Sequence, residues 1–266
     1  MYSSAGGNRQ GLLDGALIQR VQPGLCAQAA VAAVQLAQEG LSGARDVLEG
    51  RYGLYPSYYG KDYELRTLTE GLGRDYRLLW LALKPYPCCS YAQEPVEAAC
   101  ELAREPRFAV EAVAEATAWV PSAHAAGLVD HPYSPRECPQ VDAQFSLQYL
   151  IAASLHRGVL GLADFRNEAL HDREVIALAS RVRVRVDAHK EGTVELRLAD
   201  GSTRERRVPV ARGHPSRPFD AVAMRAKLEE CARYADSPPA RSQRIAQSVE
   251  GLESLVHAGE LAEALG

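Results

Sequence analysis

The period of the hydrophobic pattern changes twice along this chain, and this change restricts the fold more than any single motif. Helical patterns come first, including an alanine-rich run over residues 25–38. Strict apolar–polar alternation over 181–186 predicts a strand, and Asp200-Gly201 between two further strand-like runs predicts a β-hairpin. Helical periodicity returns from about residue 219. The sequence therefore predicts an α+β protein in which a mixed segment interrupts a helical one.

We expect the mixed segment to form a smaller α+β lid domain inserted into a helical domain. The predicted division places a first helical segment at 1–83, the lid at 84–213 and the returning helices at 214–266. Lys84 and His214 stand near the two crossings between these domains. Because ligand sites favour clefts between domains, polar groups at the crossings are candidates for a functional site.

Composition excludes several classes of partner. The net charge of −4 gives no bulk attraction for nucleic acid, so an anionic ligand requires local cations. Six arginines of the mixed segment alternate with other residues and are predicted to cover a solvated sheet face: 181, 183, 185, 204, 206 and 207. No apolar run approaches the roughly 18 residues that a membrane span needs. We expect a cytoplasmic protein that binds neither nucleic acid nor membrane.

The six cysteines are scattered and none belongs to a Cys-x-x-Cys pair. This spacing predicts free thiols and no structural zinc.

Two motifs carry groups suited to chemistry. Residues 84–89 read KPYPCC, a proline-stiffened turn that presents one cation and two thiols. Asp142 is the predicted N-cap of a helix over 143–157, which ends at Gly158 and carries Tyr149. The apolar stripe of this helix is Leu147, Leu150, Ile151 and Leu155. The two motifs are expected to project one reactive group each into a shared cleft.

Five pieces of the chain resemble, in the same order, the C-terminal part of the MmgE/PrpD family, which includes 2-methylcitrate dehydratase, cis-aconitate decarboxylase and iminodisuccinate epimerase. The pieces lie at 14–24, 41–50, 84–87 (KPYP), 142–149 (DAQFSLQY) and 213–215 (GHP). The resemblance implies a large helical domain with a smaller α+β lid. It also implies that the chain begins inside the helical domain, so that the N-terminal half of that domain is missing.

The resemblance also implies roles for individual residues in cofactor-free proton transfer beside a carboxylate. Lys84 would anchor a carboxylate and take part in catalysis, and Tyr149 would transfer a proton if a cation such as Lys84 lowered its pKa. Cys89 would carry a proton where the family has a histidine, and Gln93 is the other position for that histidine. Gln19, at the position of a family lysine, and Arg20 would bind substrate.

Each of these residues also has a purely structural interpretation. Lys84 would then be a surface lysine, Tyr149 a half-buried helix residue and Cys89 a buried, inert thiol. Arg20 would lie on a helix surface, and His214 would be a hinge residue at the lid crossing.

Two functions follow from these readings. The first is a 2-methylcitrate dehydratase-like lyase, or its C-terminal subunit, acting on a small di- or tricarboxylic acid without metal or organic cofactor. The alternative is a noncatalytic or truncated homologue that serves as a subunit or carboxylate-binding module. In either case we expect a homodimer or a complex with a chain that supplies the N-terminal half.

Overall fold

The computed structural model describes residues 6–257 and 259–265. Two compact units divide the chain, Met1–Leu79 and Trp80–Gly266. Among the described residues, the α-helices of the first unit are α1 (Gln10–Leu13), α2 (Ile18–Gln38), α3 (Leu54–Tyr59) and α4 (Arg66–Thr69). Those of the second unit are α5 (Gln93–Ala103), α6 (Ala123–Val129), α7 (Pro139–Gln144), α8 (Leu147–Arg157), α9 (Asn167–Leu170), α10 (Arg173–Ala179), α11 (Ala221–Tyr234), α12 (Pro239–Glu250) and α13 (Gly259–Leu265). Its strands are β1 (Val113–Val120), β2 (Val182–Val186), β3 (Thr193–Leu198) and β4 (Thr203–Arg207).

A single sheet with the order β2-β1-β3-β4 organises the described part of the second unit. β1 is parallel to β2 and antiparallel to β3, and β3 is antiparallel to β4. The turn between β3 and β4 is the predicted Asp200-Gly201 hairpin, and Gly201 has a φ of +84°, which glycine adopts readily. The mixture of helices with a largely antiparallel sheet confirms the α+β class.

Helix α8 lies at the centre of the core of this unit. It packs against α5, α10 and β2. Its predicted apolar stripe is confirmed, because Leu147, Leu150, Ile151 and Leu155 are all at most 1% exposed. Burying each such side chain contributes about 1.5–3 kcal/mol, so the helix that carries Tyr149 is firmly fixed.

The predicted helix over 143–157 is in fact two helices, and the prediction that Asp142 caps it is wrong. α7 ends at Gln144 and α8 begins at Leu147, where the Ser146 hydroxyl accepts a hydrogen bond from the Tyr149 amide at 3.3 Å. The Asp142 carboxylate instead accepts the Arg136 backbone N–H at 2.9 Å. Gly158 ends α8 with a φ of +68°, as predicted.

The prediction that six arginines share a solvated sheet face is only partly right. Arg183, Arg185 and Arg207 are exposed. Arg204 and Arg206 on β4 are half-buried instead and pair with Glu105, at 3.4 and 2.9 Å. Glu105 lies just after the C-terminal end of α5. Its ion pairs with Arg204 and Arg206 therefore connect the edge strand β4 to this helix.

The first unit also departs from the sequence-based expectation. Its long helix α2 begins at Ile18 rather than near residue 25, and none of its residues is buried. The tyrosine-rich segment over 52–63 contains α3, in which Pro56 falls in the first turn, where the missing N–H costs no hydrogen bond. Within the part of the chain that the structure describes, no helix is both long and apolar enough to cross a membrane.

Candidate functional site

The turn of residues 84–89 is anchored at its start by a contact between the two predicted crossings. The Leu83 N–H donates to the Gly213 carbonyl at 2.8 Å. Gly213 has a φ of +90°, and a Cβ added there would lie 2.0 Å from the Leu83 carbonyl oxygen. Only glycine fits this position without a shift of the backbone. The chain therefore enters the turn at a fixed point.

Lys84 lies on the exposed side of this turn. Its ammonium donates one hydrogen bond to the Cys88 carbonyl at 2.9 Å. An ammonium has three donors, and within the described residues no other protein partner is recorded for the remaining two. The arrangement holds the cation close to the turn while leaving it able to bind a carboxylate.

Gln93, at the first position of α5, clamps the inside of the turn. Its side-chain oxygen accepts the Tyr86 N–H at 3.1 Å, and its amide nitrogen lies 3.1 Å from the Tyr86 carbonyl and 3.2 Å from those of Cys88 and Cys89. The side chain is buried. Gln93 therefore satisfies backbone groups that proline-rich turns leave without partners. From the sequence, Gln93 was considered only as a possible position of the family's histidine. Its place a few residues after the proline-rich turn is the signal that could have indicated a clamp.

Both thiols of the turn are buried. Burial raises the pKa of the Cys88 thiol far above its usual value, and the neighbouring Cys89 adds to this effect. Cys89 is 8% exposed, and its backbone N–H donates to the Gln144 carbonyl at 3.1 Å. This bond joins the turn to the end of α7, so the structure brings the two predicted motifs together through their backbones. Among the described residues, no cluster of three potential metal ligands occurs.

Tyr149 is fully buried, and its surroundings differ from those expected. Its hydroxyl donates to the Asp164 carbonyl at 2.5 Å and lies 3.3 Å from the Ala169 carbonyl. Burial raises its pKa to about 12, although the Arg157 guanidinium opposes that rise. The condition for proton transfer, a pKa lowered by a nearby cation such as Lys84, is therefore not met, and the cation beside this phenol is Arg157.

A network around Arg157 was not found from the sequence. The guanidinium pairs with the buried Asp164 carboxylate and, at 3.1 Å, with Asp172. Asp164 also accepts the Gly161 N–H at 2.7 Å. Burial would raise the pKa of Asp172, but the backbone N–H groups at the start of α10 and then Arg157 lower it overall. Arg157 ends α8, Asp164 lies in a short 3-10 helix and Asp172 caps α10, so the three residues belong to different elements and no periodic pattern of one element marks this network.

The other candidate residues lie in two places. Gln19 and Arg20 belong to α2 in the first unit, where Gln19 is half-buried and Arg20 is exposed. Their roles in substrate binding stay predictions. His214 is exposed, and its Nδ1 accepts the Ser216 N–H at 3.2 Å. The imidazole thus stabilises the tight turn that follows Gly213.

Comparison with known proteins agrees with the resemblance in the sequence. A sequence profile of the MmgE/PrpD C-terminal domain matches residues 86–252, which include the buried thiols, α8 and the returning helices α11 and α12. No curated protein matches the chain. Because the matched stretch covers more than half of the chain, the protein belongs to the MmgE/PrpD family.

Proposed function

We propose that this chain is a 2-methylcitrate dehydratase-like lyase or its C-terminal subunit, acting on a small di- or tricarboxylic acid by cofactor-free proton transfer. The observation that carries the proposal is the Lys84 ammonium, held on a rigid turn with donors free of described protein partners. Membership of the MmgE/PrpD family supports the substrate class.

The rigidity of the turn is what makes Lys84 suitable for binding substrate. Prolines restrict the backbone on either side of Tyr86, and Gln93 binds the same segment from within. A cation that is already in place loses less entropy when it binds a carboxylate. Lys84 is therefore the proposed anchor for one carboxylate of the substrate.

The Tyr149 phenol is protonated and neutral at physiological pH, because its pKa is raised to about 12. Its hydroxyl is engaged with the Asp164 carbonyl, which supports a role in positioning the segment around Asp164. Cys89 remains the proposed proton carrier at the position of the family's histidine. Gln19 and Arg20 are the proposed contacts to a second carboxylate.

Turnover by the complex of this chain with its natural partner tests the proposal. We expect conversion of 2-methylcitrate, cis-aconitate or iminodisuccinate, and a loss of about tenfold or more in kcat/KM for Lys84→Met, because a hydrogen bond to a charged group is worth about 1.5–3 kcal/mol. Lys61→Met, which removes an exposed lysine of the first unit, is the matched control and should change little.

A complex that converts none of these acids would overturn the lyase proposal. It would favour the second candidate, a noncatalytic carboxylate-binding subunit. The burial of Tyr149 and of both thiols specifically supports that candidate, because none of the three presents an exposed group for proton transfer. Thermal stabilisation of the wild type by tricarballylate that is smaller in Lys84→Met would identify a binding module without turnover.

A further inference from the structure

A concave site lies within the second unit, between α11 and α5. The cleft has a volume of about 490 Å³, within the roughly 300–1,000 Å³ of small-molecule sites. Val159, Leu160 and Phe219 give it apolar surface, and Pro85 and Tyr86 of the turn also line it. Lys84 is not among its lining residues. The cleft thus adjoins the turn without including the Lys84 ammonium.

The charged residues of this cleft are predominantly basic. Five cations line it: Arg104, Arg212, Arg217, Lys227 and Arg233. Three acids line it as well: Glu97, Glu101 and Glu230. The lining therefore has an excess of two positive charges, although the chain as a whole is negatively charged.

Other protein groups already hold the three acids. Glu97 pairs with Arg217 at 2.7 Å and accepts the Arg212 backbone N–H at 2.9 Å. Glu230 accepts the Leu162 N–H at 3.0 Å, and Glu101 lies 3.6 Å from Arg206, which is outside the cleft. Each of the three carboxylates therefore already has a protein partner.

Three of the cations remain uncompensated. Among the described residues, Arg104, Lys227 and Arg233 form no ion pair with a carboxylate, whereas Arg212 also lies 3.7 Å from Asp220. Lys227 is half-buried on α11, so part of its side chain is removed from water. A partly desolvated cation is stabilised by an anionic partner.

We propose that this cleft binds a small organic anion with at least two carboxylate or phosphate groups, using Arg104, Lys227 and Arg233 as its cationic ligands. The two excess charges match such a dianion, and the apolar wall accepts its carbon skeleton. This binding requires no reaction at the turn, so the proposal stands apart from the proposed function.

Isothermal titration calorimetry of the full chain at low ionic strength tests this proposal. The two probes are tricarballylate, a tricarboxylate, and fructose 1,6-bisphosphate, a phosphate ester. We expect saturable binding of at least one probe, one-to-one in Lys84→Met, which lacks the anchor proposed at the turn. The R104Q/K227Q/R233Q variant should bind it at least about 30-fold more weakly, because charged hydrogen bonds are lost.

The matched control is R183Q/R185Q/R207Q, which removes the same three charges from the exposed face of the sheet. It should keep the wild-type affinity within about twofold, since only distant, screened charges change. Lys84→Met should also keep it. The single variant R233Q, at an exposed position of α11, should weaken binding about threefold or more and serves if the triple variant does not fold.

The outcomes separate the possibilities. Binding of tricarballylate alone identifies a polycarboxylate ligand, and binding of the bisphosphate alone identifies a phosphorylated one. The proposal is overturned by the absence of saturable binding of either probe, or by equal losses in the cleft variant and the sheet variant. If neither probe binds in the cleft, the expected turnover by the complex is unchanged. If the complex shows no turnover, the expected binding in the cleft is unchanged, so the two proposals are tested separately.

Discussion

At the scale of single residues, Tyr149 combines complete burial with a hydroxyl that serves the backbone. Because the phenol donates to the Asp164 carbonyl, Tyr149→Phe should lower the free energy of unfolding by about 1–2 kcal/mol at pH 7, as measured by urea denaturation. Tyr91→Phe is the matched control, since the Tyr91 hydroxyl has no hydrogen bond among the described residues. Equal stabilities of Tyr149→Phe and the wild type would show that the hydroxyl contributes nothing.

The same variant gives a prediction in alkaline solution. The pKa of Tyr149 rises from 10.0 to about 12 on folding because the side chain is buried. The unfolded chain therefore loses this proton first, so the stabilisation is complete below pH 10 and is lost as the pH rises toward 12. The wild type should lose more stability than Tyr149→Phe over this interval. Parallel pH profiles for the two proteins would contradict the prediction.

At the scale of connected elements, the contact between Leu83 and Gly213 fixes the start of the turn. Gly213→Ala places a Cβ 2.0 Å from the Leu83 carbonyl at a φ of +90°. We expect a loss of about 1–3 kcal/mol in the free energy of unfolding, measured by urea denaturation.

Gly127→Ala is the control for this substitution. Gly127 lies in α6, and an added Cβ there meets nothing within 4 Å. This change should be neutral or stabilising by up to about 1 kcal/mol, because alanine favours the helix. Comparable destabilisation by both substitutions would indicate a general intolerance of larger side chains rather than a clash at Leu83.

At the scale of the whole molecule, the long helix of the first unit presents apolar side chains to solvent. None of its residues is buried, and Val21, Leu25, Val31 and Val34 are each about half exposed or more. Exposed apolar surface of this kind favours association. Native mass spectrometry of protein purified gently from its own cell extract should therefore show a homodimer or a stoichiometric second chain. A monomer at micromolar concentration would contradict this prediction.

Local patterns predicted much of this architecture, but they did not predict its side-chain contacts. The stripe on α8 and the Asp200-Gly201 hairpin depend on period and turn chemistry, which are local properties. The environment of Tyr149 depends on Arg157 and Asp164, whose approach requires the complete tertiary fold. The interruption between α7 and α8 was missed because Ser146 caps the second helix as readily as Asp142 would cap one long helix.

The hydrogen bond between Leu83 and Gly213 also affects how the chain can be rearranged. The predicted lid runs from residue 84 to residue 213. At its two ends, the Leu83 nitrogen and the Gly213 carbonyl oxygen lie only 2.8 Å apart. A segment whose ends meet in this way can be exchanged as a cassette, or joined end to end and opened elsewhere, without a long bridging linker. Residues 84–213 can accordingly be exchanged between members of the family without changing the distance that the flanking chain must span.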